Sequence, residues 1–213
     1  MGFKRILTDT ATVPQLTLIT DSSRFSGDPF FKSVEMALRG GVDALLVREK
    51  SMDSARLLAF SSRLRKLAYQ YRARLIIHTQ ADVAAAVGAD GVHVGSADIQ
   101  NIPAIRMWLG ESDQTVSASC HNLNELEQAQ SYGADYVFLS PVFPTATHPG
   151  APHLGIEGFQ QLASRVALPV IALGGITVQN FKMVEADGYA VIEALLGSED
   201  PEGSAQAIVQ GRL

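Results

Sequence analysis

Gly88-Ala89-Asp90-Gly91-Val92-His93-Val94 reads as a small-residue turn running into an apolar strand. Three other stretches share that form: Gly41-Val42-Asp43-Ala44-Leu45-Leu46-Val47, Gly133-Ala134-Asp135-Tyr136-Val137-Phe138-Leu139 and Glu185-Ala186-Asp187-Gly188-Tyr189-Ala190-Val191. Their starts lie 47, 45 and 52 residues apart, too long for one strand-helix unit and right for two. Further apolar runs fall between them, at Leu16–Ile19, Leu75–Ile77, Val116–Ser119 and Val170–Leu173. Eight short strands result, nearly continuous in Val, Ile, Leu and Ala, as suits parallel strands covered on both faces. Helical patterns separate them. Leu57, Phe60, Leu64 and Leu67 form an apolar stripe behind Asp53, a candidate N-cap. Asn122 with Glu125 forms a capping box, and Gly133 closes that helix. Gly40, Gly88 and Gly110 sit where other helices should stop. Strict alternation with eight strands predicts an α/β fold, a single (β/α)8 TIM barrel. The expected domain is 1–213, with 1–12 as a loose N-terminal extension. The rival, an open doubly wound sheet, is disfavoured by the fourfold repeat.

Composition narrows the function. Of 213 residues, 46% are apolar and 18% charged, which excludes a disordered tail protein. A net charge of −5 argues against a nucleic-acid partner that works by phosphate neutralisation. The single cysteine, Cys120, excludes a disulfide framework and fits a reducing compartment. Neither a signal peptide nor a membrane span is expected; the longest apolar run is broken by Pro169. The expected location is cytoplasmic, with no membrane partner.

Chemistry in such barrels sits at the C-terminal strand ends. After strand two, Arg48 and Lys50 share a face and Glu49 opposes them, so two cations converge at the mouth and suit a phosphate or diphosphate. His78-Thr79 follows strand three. His93, between Val92 and Val94, reads as a satisfied core histidine. Asp98 offers a metal or hydroxyl ligand, or the N-cap of a helix starting near Ile99, and alone favours the cap. Ser119 and His121 share a face but stand too close along the strand for a hydrolase pair; His121 is an acid/base candidate in its own right. Cys120 reads as packing. The connection Ser140 to Gly155, with four prolines, is long enough to be functional, and Thr145, Thr147 and His148 are its polar offering. Gly174-Gly175 follows strand seven, and Glu193 follows strand eight, where many barrels hold phosphate on bare backbone N–H groups.

These windows together resemble the thiamine phosphate synthase and thiazole tautomerase superfamily, from about Leu16 to Leu196. The carrying motifs are Leu18-Ile19-Thr20-Asp21, Arg48-Glu49-Lys50, Val87 to Gly95, Ser119-Cys120-His121, Pro141 to Thr147 and Ala172 to Ile176. The stretch Ser119 to Phe159 looks closest to a sub-branch found fused behind Nudix domains. The resemblance implies a transferase of thiamine biosynthesis that joins a pyrimidine diphosphate to a thiazole phosphate. It implies that Arg48 and Lys50 grip the diphosphate with Ser119 beside them. It makes Asp98 a Mg2+ ligand and gives Thr145, Thr147 and Gly175 the thiazole phosphate.

The departures weigh against efficient coupling. His78-Thr79 stands where the family has Asn-Asp, His148 where it has Lys, Leu46 where it has Gln, and Glu193 where it has Ser. One metal carboxylate is lost, so Mg2+ is compatible but weakened, and Glu193 brings an anion to the expected phosphate site. Two alternatives stand beside coupling: a metal-independent tautomerase using His121, and a non-catalytic binder of thiamine precursors. The expected partner in each is a small phosphorylated heterocycle, and a homodimer is compatible with the chain.

Overall fold

A computed structural model describes residues 13–110, 112–145, 150 and 152–211. The expected loose extension, 1–12, lies outside the described residues, as do Thr147 and His148. Eight strands close into a barrel in sequence order, every neighbouring pair parallel. They are β1 Leu16–Ile19, β2 Ala44–Val47, β3 Arg74–His78, β4 Gly91–Val94, β5 Thr115–Cys120, β6 Tyr136–Leu139, β7 Val170–Leu173 and β8 Gly188–Val191. Closure between β1 and β8, through Leu16 opposite Tyr189, excludes the open sheet.

The helices wrap the outside: α1 Gly27–Arg39, α2 Ser54–Gln70, α3 Ala81–Val87, α4 Ile102–Leu109, α5 Leu123–Ser131, α6 Gly155–Ala163, α7 Glu193–Leu196 and α8 Pro201–Gln210. The caps fall where the sequence placed them. Asp53 accepts from Arg56 N, Asn122 accepts from Glu125 N, and Gly40, Gly88 and Gly110 end α1, α3 and α4. No described helix is long and apolar enough to cross a membrane.

Two apolar layers follow from strand alternation. Leu45, Val47, Leu75, Ile77, Val92, Val94, Val137 and Leu139 face outward and bury the helix stripes, Leu57 and Leu64 among them. Ile19, Leu46, Ile76, Tyr136, Phe138, Ile171 and Ala190 fill the barrel interior.

The repeated Asp has a structural task at the bottom of the barrel. Asp43 accepts from the N–H groups of Gln15 and Leu16, each at 2.9 Å. Asp90 accepts from Leu75 N at 2.8 Å, Asp135 from Val116 N at 2.6 Å, and Asp187 from Val170 N at 2.7 Å. In return, each aspartate's own N–H donates to the carbonyl of Leu16, Leu75, Val116 or Val170. Each repeat thus clasps the entry of the strand before it, pairing β1 with β2, β3 with β4, β5 with β6 and β7 with β8. Arg65 reinforces Asp90 at 2.6 Å with both side chains nearly buried, and Arg106 reinforces Asp135.

Removing one partner of a buried ion pair costs about 3–5 kcal/mol, because the other charge stays desolvated. Asp90→Ala strands Arg65 and leaves Leu75 N without its acceptor. Denaturant unfolding should show a loss in that range, against about 1 kcal/mol for the exposed helix cap Asp53→Ala. Equal losses would deny the clasp its role.

Candidate active site at the barrel mouth

The carboxyl ends of all eight strands open on one rim. His78, Asp98, His121, Thr145, Gly175 and Glu193 follow β3 to β8 in turn and share it. At β2, Glu49 is buried and turns outward, where its carboxylate accepts from Ser22 N at 3.1 Å and from Ser22 Oγ at 2.6 Å. Arg48 N donates to the buried Thr20 Oγ1 at 3.1 Å. The loop after β1 therefore fixes the chain around Glu49, and alternation turns Arg48 and Lys50 the other way.

Both cations bear on His78. Burial, then Arg48, then Lys50 push its imidazole down to about 4, with Asp98 opposing. His78 Nδ1 pairs with Thr79 Oγ1 at 2.8 Å. Its Nε2 and Asp98 Oδ2 approach Gly95, where a Cβ would stand 3.8 and 3.9 Å from them. Gly95 thus lies beside both the imidazole and the carboxylate. Asp98 is not a helix cap: it lies within a 3-10 turn, Ser96–Asn101, and α4 starts only at Ile102.

Under this cluster lies a buried polar network. His93 is 1% exposed, with Nδ1 at 2.9 Å from Ser117 Oγ and Nε2 at 2.8 Å from Ser119 Oγ. It is a satisfied interior histidine. Burial, then His78 and Arg48, hold it neutral, well below the ordinary imidazole value. Ser119 is thus tied to His93. His121 pairs instead with Ser140, its Nδ1 lying 2.8 Å from the Ser140 carbonyl. That contact protonates Nδ1 and makes Nε2 the basic nitrogen. Cys120 is fully buried and its thiol is pushed up to about 12 by burial, then by Glu125, which makes it packing and no nucleophile.

Two of the expected site positions also carry contacts within the protein. Gly174 and Gly175 have positive φ, and their missing side chains admit the loop after β6: a Cβ would meet Pro141 at 2.7 Å and Phe143 at 2.7 Å respectively. Phe143 N also donates to Gly174 O at 3.0 Å. Close packing of two loops explains the double glycine, and it sets Pro144, the residue before Thr145, against Gly175. Glu193 is also no bare anion. Arg24 holds it at 2.6 Å and holds Asp21 at 2.6 Å, so one guanidinium bridges the loops after β1 and β8. Arg24 was not among the expected site residues; only barrel closure brings it to a partner 169 positions away. Leu46 is buried in the interior, where it packs with Ile19 and Ile76.

The cation donors at the mouth are the Asp98 carboxylate, the His78 imidazole and the Thr79 hydroxyl. Among the described residues, no group of three or more His, Cys, Asp or Glu is placed to hold a metal. Mg2+ takes one or two carboxylates when substrate phosphates supply further oxygens. Asp98 meets that minimum only with such a substrate.

Comparison with known proteins agrees with this geometry. The family model described as thiamine monophosphate synthase matches residues 16–195. A thiamine-phosphate synthase of Syntrophomonas wolfei is 36% identical over 92% of this chain and 94% of its own length. Another, of Methanococcus vannielii, is 39% identical over 79% of this chain and 82% of its own. The solved thiamine phosphate pyrophosphorylase of Pyrococcus furiosus superposes with a TM-score of 0.81 at 33% identity, over 92% of this chain and 94% of that one. A 3-hexulose-6-phosphate synthase at 16% identity and TM-score 0.69 shares the fold alone.

The depressed imidazoles predict a pH effect. Below the ordinary value of 6.5, the unfolded chain takes up protons that folded His78 refuses until about pH 4. Stability therefore falls as pH drops through that window. His78→Asn should show a flatter stability profile between those limits than the wild type. Parallel profiles would mean that His78 titrates normally in the folded protein.

Proposed function

Because the chain belongs to the thiamine monophosphate synthase family, we propose that it couples a pyrimidine diphosphate to a thiazole phosphate in the cytoplasm. The observation that carries this reading is that strand alternation turns Arg48 and Lys50 to the same face, where both, with Asp98, act on the His78 imidazole. Two cations and a single carboxylate around one imidazole suit a leaving diphosphate.

In the coupling, the C–O bond between the pyrimidine methylene and the diphosphate breaks, and the diphosphate leaves with the electron pair. The thiazole nitrogen donates its lone pair to the methylene carbon and forms the new C–N bond. Arg48 and Lys50 offset the charge that grows on the leaving oxygens. Ser119 adds a hydrogen bond from beside them. Asp98 would hold Mg2+ through its carboxylate with the diphosphate oxygens completing the shell, and the ion would supply positive charge toward the leaving group. The thiazole phosphate falls to the loops after β6 and β7, where Pro144, next to Thr145 in the chain, packs on Gly175. Arg24 pairs with Glu193 and turns part of its charge toward the loop after β1, although the same guanidinium also serves Asp21.

One observation favours a second reading. The contact of His121 Nδ1 with the Ser140 carbonyl readies Nε2 to move a proton, as a thiazole tautomerase requires. A single set of assays separates the two. Coupling predicts thiamine phosphate and diphosphate from the two substrates, loss of turnover on chelation of Mg2+, and a fall of roughly 10–100-fold in Arg48→Ala. His121→Asn should then matter little. Isomerisation of a thiazole carboxylate phosphate, insensitive to chelation and lowered about 10²–10⁴-fold by His121→Asn, would select the tautomerase instead. Neither product forming would leave a binder.

A further inference from the structure

We propose that Ser117 is a positioning residue that sets the tautomer of His93 and thereby makes Ser119 a hydrogen-bond donor toward the mouth. The inference rests on the reading of the mouth as a diphosphate site. A neutral imidazole carries one N–H and one bare nitrogen, so its two serine contacts cannot have the same polarity. In one arrangement Ser117 O–H donates to Nδ1 and Nε2–H donates to Ser119 Oγ. The Ser119 hydrogen is then released toward the mouth. In the other arrangement Nδ1–H donates to Ser117, Ser119 O–H donates to Nε2, and Ser119 shows the mouth only lone pairs.

The surroundings decide between them. Ser117 is fully buried, in the interior that also holds Tyr136, Phe138 and Ile76. The buried Tyr136 hydroxyl also bears on Ser117. It needs an acceptor, which Ser117 Oγ supplies, so the Ser117 hydrogen is left for Nδ1 at 2.9 Å. Ser119 is only half-buried and lies two residues beyond Ser117, toward the carboxyl end of β5 that opens on the mouth, so a hydrogen released from His93 has the mouth to turn to. An anion bound there accepts hydrogen bonds and offers none. A lone-pair face on Ser119 would repel it. Ser117 touches no substrate; its effect passes through the ring to the opposite nitrogen and on to Ser119.

The test combines histidine nitrogen NMR on the ligand-free protein with calorimetric binding of inorganic diphosphate in the presence of Mg2+. Wild-type His93 should carry its proton on Nε2. Ser117→Ala should shift protonation toward Nδ1 or mix the two forms, and weaken diphosphate binding roughly tenfold, the scale of one charge-assisted hydrogen bond. Ser119→Ala should keep the tautomer and lose a similar factor. The double variant should lose no more than Ser119→Ala alone, because both changes delete the same donor. Ser117→Cys, a near-isosteric variant with a weak S–H donor, should lie between wild type and Ser117→Ala if the latter folds poorly.

A wild-type proton on Nδ1 overturns the proposal. So do additive losses in the double variant, or weaker binding by Ser117→Ala with an unmoved tautomer. The expected tautomer without any diphosphate binding by the wild type would instead overturn the anion reading of the mouth, and with it the role given to Ser119.

Discussion

A carboxylate accepting the first N–H groups of the neighbouring strand is the contact on which the barrel depends. It occurs four times, at Asp43, Asp90, Asp135 and Asp187. A parallel sheet offers no tight hairpin to fix register, so each strand entry would otherwise begin with unpaired donors. The clasp satisfies them and sets which residue of one strand lies beside which of the next. Because side chains alternate, a slip of one residue would exchange the barrel interior for the helix-facing layer. Every inward group at the mouth inherits its direction from this register.

Function occupies the opposite end, where a different economy of charge applies. Glu49 is spent on holding the loop after β1 and takes no part at the mouth, so Arg48 and Lys50 keep their charge for the opening. Arg24 is shared between Asp21 and Glu193 and so ties the loops after β1 and β8 together. The Asp98 carboxylate and the His78 imidazole both lie beside Gly95. Around His78, two cationic side chains outweigh one carboxylate. That balance favours an anion that brings further oxygens with it over a metal bound to the protein alone.

The fold was legible because the same signal appears four times, and the apolar runs between the copies complete the count of strands. Arg48, Lys50 and the buried state of His93 followed from strand alternation. What the sequence concealed was pairing across the closed barrel. Nothing local says that Arg24 meets Glu193, or that Glu49 is tied to Ser22. Nor does the sequence show that the double glycine after β7 also admits the loop after β6. Asp98 taken alone suits a cap as well as a metal ligand, because the 3-10 turn ahead of α4 has no distinct sequence mark. The Ser117–His93–Ser119 network was hidden for a similar reason: three strand residues become one hydrogen-bonded unit only through the β4–β5 register.

The central claim is that Arg48 and Lys50 turn the mouth around His78 into a diphosphate site. It is tested most directly by titrating the His78 imidazole by NMR with and without inorganic diphosphate. Alone, His78 should titrate at about 4, held down by burial and by the two cations. A bound diphosphate offsets those cations and brings its own negative charge, so the midpoint should move upward on saturation. A His78 midpoint near its ordinary value in the free protein, or one that diphosphate leaves unmoved, would contradict the account.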